Sequence, residues 1–242
     1  MPRPEEPPSA PMTPSRTPTA VYVAVVAPVA IAVVAAATQP WLPPSHLLRD
    51  SQVVAGLHGD TSPAYGLLSN LGILAIAVAS GMALLGWLAT RRAGDELGPL
   101  LAWSFGLGLA FVLDDLLLLH EAASSASWTG IAIAAGYGVG FLVFLARFQD
   151  VARQRLDGGL LLLAIAAFAG SAAVDLLATP TQASVLIEDG AKLLGIVAWS
   201  VFVARAAIVA LEPTPTPSAE SARVEMAAEA GAEPERVPSA GD

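Results

Sequence analysis

The chain has 242 residues, of which 55% are hydrophobic and only 14% charged, with a formal net charge of −9. A soluble domain of this size carries nearer a quarter charged residues, and here most charges sit in tails and short connections between long uncharged runs. This excludes an ordinary soluble domain and predicts an all-α integral membrane protein, because a charge in hydrocarbon costs several kcal/mol while a leucine costs nothing. Seven acids against Arg223 and Arg236 lie beyond Leu211, so five of the nine negative charges belong to one tail and signal no basic partner. No basic patch is interleaved with aromatics, which excludes nucleic acid. The absence of cysteine excludes disulfides, thiol catalysis and thiolate metal sites.

Residues 1–18, rich in Pro with Ser and Thr, predict a disordered cytoplasmic tail. The first apolar run is about Thr19 to Thr38, with Pro28 near its middle, where a kink is tolerable in a membrane helix. Ala35 and Ala37 also resemble a signal-peptide cleavage site. The length of the run, and Glu5 and Glu6 ahead of it, favour an uncleaved helix. Further runs cover Leu67 to Thr90, Pro99 to His120, Trp128 to Phe148, Gly159 to Ala178 and Val185 to Leu211. Each is near the roughly 20 residues that cross about 30 Å of hydrocarbon. The expected fold is therefore a bundle of six transmembrane helices over residues 19–211, followed by a disordered acidic tail at 212–242.

Arginine placement sets the orientation. Arg91 and Arg92 follow the second run, Arg147, Arg153 and Arg155 follow the fourth, and Arg205 is near the end of the sixth. The opposite connections hold only Arg49. Positive residues stay inside, so both termini are expected in the cytoplasm of a plasma-membrane protein. Small-residue spacings, Gly136 with Gly140, Gly130 with Ala134 and Gly138, and Ser104 with Gly108, suggest close helix packing. The bilayer is the expected partner, with a second copy or another membrane protein as further candidates.

Eight ionisable residues fall in or at the ends of apolar runs: Asp114, Asp115, His120 and Glu121, then Asp175, then Glu188, Asp189 and Lys192. The derived orientation places all of them in the outer leaflet. At about 1.5 Å per residue, Asp114 and Asp115 lie roughly 8–9 Å below the outer end of their helix, and Lys192 roughly 10 Å. The only lysine thus matches the aspartates in depth, which predicts a contact between the third and sixth helices. Six carboxylates face one lysine and one histidine, and an unpaired carboxylate in a low-dielectric site tends to bind a proton or a cation.

Three functional readings follow: a transport or sensing protein binding a proton, cation or small ligand at this cluster; a cation-dependent enzyme acting on a lipid or envelope substrate; and an assembly protein whose charges only fix helix packing. No cofactor is specified. A divalent cation could use Asp115, His120 and Glu121, although their spacing matches no standard zinc motif. Six helices and few aromatics argue against a retinal-type Schiff base at Lys192, and no G-x-S-x-G signals a serine nucleophile. The loop residues His46, Asp50, His58 and Asp60 rank low as ligands, being of a kind usually solvated.

The segments Tyr65 to Gly72 (YGLLSNLG), Leu113 to Glu121 (LDDLLLLHE) and Glu188 to Trp199 (EDGAKLLGIVAW) resemble a group of uncharacterised bacterial polytopic membrane proteins over roughly residues 65–205. The D-D…H-E and [ED]-x-x-x-K elements are matched by Asp114, Asp115, His120, Glu121, Glu188 and Lys192. The resemblance implies a multi-pass membrane protein. The chain is also similar to membrane-embedded metal hydrolases of the ceramidase type, but lacks their several histidines.

The cysteine-free chain allows a clean test of orientation. Single cysteines at Ser51 and Ser127 should react with an impermeant thiol reagent on intact cells, and one at Ala93 should not. Labelling of Ala93 with protection of Ser51 would invert the orientation.

Overall fold

A computed structural model describes residues 19–92, 94–117, 119, 128–179 and 181–212. Six of its helices are long and apolar enough to cross a membrane. They are α1 (Thr19–Thr38), α4 (Leu67–Thr90), α5 (Leu97–Leu117), α6 (Thr129–Arg155), α7 (Gly158–Leu177) and α8 (Gln182–Leu211), with two short helices, α2 (Pro44–Leu48) and α3 (Ser51–His58), between α1 and α4. No strand occurs among the described residues. The protein is a multi-pass membrane protein. Its tails, 1–18 and 213–242, lie outside the described residues.

The ends of the helices are set by local chemistry. Asp157 caps α7, its carboxylate accepting from the Gly159 and Leu160 amides at 3.1 and 3.3 Å, as an N-cap acid should. Asp95 does the same for α5 through the Leu97 amide at 2.9 Å. Asp50 caps α3 through the Gln52 amide, and Gly59 closes that helix in the left-handed region. Gly66, with φ of 65°, has no alternative: a Cβ there would sit 2.5 Å from the Ser51 amide nitrogen. Its own amide donates to the His46 carbonyl at 2.7 Å, tying α2 to the start of α4.

α8 is the central helix, packed on α4 and α7 most extensively and also touching α1, α2 and α5. Its buried residues, Gly195, Ile196, Ala198, Trp199, Phe202, Val203, Ala206 and Ala207, therefore cover much of its circumference. Trp199 meets Phe141 and Phe144 edge-on at 5.3 and 5.2 Å between ring centroids, and Phe111 stacks on Phe168 at 5.2 Å. These edge and offset arrangements are the ones favoured between aromatic quadrupoles. The basic end of the bundle is tied twice. Arg155 donates to Asp95 at 2.6 Å, linking α6 to the α4–α5 connection, and the Tyr22 hydroxyl donates to Asp157 at 2.8 Å, linking α1 to the α6–α7 turn. The Arg155 hydrogen bond holds the Asp95 carboxyl below its usual value against the opposing effect of burial. That contribution is present at neutral pH and is lost as acidification passes the ordinary carboxylate range.

Several expectations need correction. α6 does not stop near Phe148 but continues to Arg155, because arginine stems lie along apolar surface while their heads reach water. The connection between the first two membrane helices is not a plain loop, since it contains α2 and α3. Small-residue packing follows only part of the expected spacing. A Cβ at Gly136 or Gly138 would meet nothing within 4 Å, whereas one at Gly140 would meet Leu107 at 3.0 Å. Gly108 does approach a neighbour closely, the Ser80 hydroxyl on α4. Gly86 and Gly195, in no obvious motif, are also close to neighbours: a Cβ would be 2.8 Å from Leu101 at the first and 2.8 Å from the Phe168 ring at the second. Gly130 and Ala134 carry no described side-chain environment.

Gly195→Ala should therefore destabilise the detergent-solubilised protein by about 1–3 kcal/mol, since the stacked Phe168 ring has little room to move. Gly138→Ala should be neutral or stabilising by up to about 1 kcal/mol, through helix propensity alone. Thermal unfolding of the two variants side by side checks this, and equal melting temperatures would contradict the packing described.

Candidate functional site

The intramembrane charges converge at the end of the bundle opposite Arg155 and Asp95. Asp114 and Asp115 stand on the last turns of α5, each 6% exposed. The Lys192 ammonium on α8 donates to Asp115 Oδ1 at 2.9 Å, forming an ion pair between the two helices. Asp114 and Asp189 also lie within electrostatic range of Lys192. Glu188 and Asp189 sit one turn nearer the start of α8, within range of each other and of Asp175 on α7. Asp189 Oδ2 is buried and has no hydrogen-bond partner among the described residues. The carboxylates singled out in three separate segments are thus neighbours in space. His120 and Glu121 lie outside the described residues.

Two participants were not legible as such in the sequence. Arg49, in the turn between α2 and α3, reaches electrostatic range of both Glu188 and Asp189. It gets there because α2 packs on α8, α4 and α1, a placement hydropathy cannot encode. Tyr137 of α6 donates to the Ala110 carbonyl at 3.0 Å and stands within hydrogen-bonding range of the Asp114 carboxylate. A hydroxyl inside an apolar run, flanked by Gly136 and Gly138, was the available signal, since a buried tyrosine seeks a partner for its O–H. Among the described residues, five carboxylates (Asp114, Asp115, Asp175, Glu188 and Asp189) share two cations, Lys192 and Arg49.

The histidines of the connection between α1 and α4 pack against each other, although His58 is exposed. His46 and His58 approach to 4.5 Å between ring centroids, Tyr65 packs edge-on to His46 at 5.2 Å, and the Tyr65 hydroxyl donates to Asp60 at 3.0 Å. Burial and the neighbouring His58 both push the His46 pKa down, with Asp60 opposing them. His46 therefore favours its neutral form, and the segment loses stability as the pH falls below about 6.5 toward the lowered value.

No group of three or more His, Asp or Glu side chains is placed to hold a metal among the described residues. Of the suggested ligands, Asp115 is instead engaged by Lys192. Residues 21–206 match the family described as a domain of unknown function (DUF8692). Neither a curated protein nor a solved structure matches the chain.

The ion pair makes a specific demand on mutants. Lys192→Met leaves Asp115 as an unpaired buried carboxylate and should destabilise by about 3 kcal/mol. Adding Asp115→Asn should recover part of that loss, while adding Asp114→Asn should recover less. Strictly additive losses in thermal stability for both pairs would show that the pair contributes nothing to holding α5 against α8.

Proposed function

The chain belongs to the DUF8692 family, and on that footing we propose that it lies in the plasma membrane with both termini cytoplasmic and uses its outer-leaflet charge cluster to bind a proton, a cation or a small ligand in transport or sensing. The orientation rests on the arginines, which gather at the end bearing Arg91, Arg147 and Arg155. The observation that carries the binding role is the surplus of carboxylates: Lys192 pairs with Asp115, and Arg49 is within electrostatic range of both Glu188 and Asp189. Keeping Asp189 ionised, with its Oδ2 buried and without a hydrogen-bond partner among the described residues and with Glu188 and Asp175 beside it, is costly at membrane depth, and a proton or a bound cation removes that cost. Intramembrane acids of this kind line ion paths, relays and ligand sites.

The 2.9 Å pair itself favours a second reading, in which the charges serve only to fix the packing of α5 against α8. The two are separated by what the cluster holds at neutral pH. Infrared spectroscopy of the protein in lipid is expected to show a protonated carboxyl C=O band at pH 7 that disappears in one of Asp175→Asn, Glu188→Gln or Asp189→Asn. Failing that band, one equivalent of bound cation should be lost in the same variants. With neither band nor cation the packing reading stands alone. Proton or cation flux across proteoliposomes then distinguishes transport from sensing.

A further inference from the structure

The connection between α1 and α4 holds a group of side chains that neither the acid cluster nor the core uses. His46 on α2 and His58 at the end of α3 lie 4.5 Å apart between ring centroids, and Tyr65 packs against both, at 5.2 and 6.4 Å. The Tyr65 hydroxyl donates to Asp60 at 3.0 Å, which fixes the ring. His58 and Asp60 are exposed, whereas His46 is half-buried and its Nδ1 is buried without a hydrogen-bond partner among the described residues. Two imidazoles in ring contact tolerate one charge between them. A second charge at that separation adds repulsion, and on His46 it must also be taken out of water.

His46 is built into the clasp that places Arg49. Its carbonyl accepts from the Gly66 amide at 2.7 Å, at the head of α4. The turn after α2 presses on the same glycine, where a Cβ would sit 2.5 Å from the Ser51 amide nitrogen and 3.0 Å from the Arg49 carbonyl oxygen. From this turn Arg49 reaches electrostatic range of Glu188 and Asp189 on α8. α3 itself packs lightly on α2 and α4, with Val54 buried. The charged groups around His46 come from several elements. Arg49 follows it at the end of α2, Asp50 caps α3 through the Gln52 amide, and His58 and Asp60 approach from α3 and the segment after it. α4 carries no ionisable side chain, α1 carries Tyr22 alone in its first turn, and α8 brings Glu188, Asp189 and Lys192. Burial and His58 hold the His46 pKa below its ordinary value against Asp60, so the neutral pair persists at neutral pH and is lost as the pH falls through that lowered value.

We propose that this connection is an acid-operated latch on the charge cluster. Protonation of both imidazoles parts α3 from α2, opens the clasp at Gly66 and withdraws Arg49 from Glu188 and Asp189, leaving those carboxylates without that cation. The weakly packed α3 is the element that moves, and the histidine pair is the local charge change that biases it. The latch acts on the cluster whatever the cluster binds, so it does not depend on the reading of transport or sensing.

Amide hydrogen exchange of the full chain in lipid, corrected for intrinsic rates, tests this at about pH 7.5 and about pH 5, either side of the ordinary histidine value. The amides of α2, α3 and Gly66 should open about tenfold more often at the lower pH, while those of α7 stay unchanged. His58→Gln, at an exposed position, keeps one imidazole and should abolish that response. His46→Gln should do the same, and serves if the first variant does not fold. The side-chain Nε–H signal of Arg49, identified by its loss in Arg49→Gln, should move toward that of a solvated arginine at the lower pH and stay in place in His58→Gln. Equal opening at both pH values would overturn the proposal. So would a response that persists in the folded histidine variants, since the carboxylates of α8 and not the histidine pair would then sense the acid. An Arg49 signal that ignores pH while α3 opens overturns it too, because the latch would not reach the cluster.

Discussion

Lys192 and Asp115 hold a charge-assisted hydrogen bond of 2.9 Å between α5 and α8, and the bilayer makes that contact unusually constraining. In water either helix could slide and let both charges be solvated. In hydrocarbon, sliding by one turn would strand an ammonium and a carboxylate, each at a cost of several kcal/mol. The pair therefore acts as a register pin near one end of the bundle. With α5 and α8 fixed there, α4 packs against both, and small residues appear where its approach is closest: Gly108 beside Ser80, and Gly86 beside Leu101 and Ala207. Gly195, a turn inward from Lys192 on α8, leaves space for the Phe168 ring of α7.

The two ends of the bundle solve different problems. At the basic end, Asp95 is paired with Arg155, and Asp157 Oδ1 is bonded to Tyr22 and to the start of α7, while its Oδ2 has no partner among the described residues. These contacts join elements distant in sequence at the margin of the apolar core, where a partly exposed ion pair contributes modestly, about 0.2–1 kcal/mol. At the other end the carboxylates outnumber their cations, and Asp189 Oδ2 is left without a partner. Evolution of a purely structural bundle has no need of that surplus, since apolar side chains of similar volume pack as well or better. The excess of carboxylates over cations at that end is the ground on which the proposed binding role rests.

The six long helices were legible because hydrocarbon imposes a length and a composition that few other contexts impose. The proximity of Lys192 to the aspartates was legible too, since a helix converts sequence position into depth, and matching depths limit the possible partners. What stayed hidden depended on azimuth and on connections. Depth could not say that Asp115 rather than Asp114 takes the lysine. Nor could it say that Gly136 and Gly138 face away from other helices of the chain while Gly86 and Gly195 face into it. Arg49 lies in a segment whose course hydropathy does not describe, and only the packing of α2 on α8 brings it to Glu188 and Asp189. The apolar run ends near Phe148, whereas the helix carries its arginines on to Arg155.

The chain contains a single lysine, so nitrogen-15 labelling of lysine side chains yields one ammonium signal that reports on this pair alone. In the folded protein that signal is expected to be protected from rapid exchange with water, and to move when Asp115 is changed to Asn but hardly at all for Asp175→Asn. An ammonium signal that exchanges as fast as free lysine and ignores Asp115→Asn would contradict the account, because the pin between α5 and α8 would then not exist.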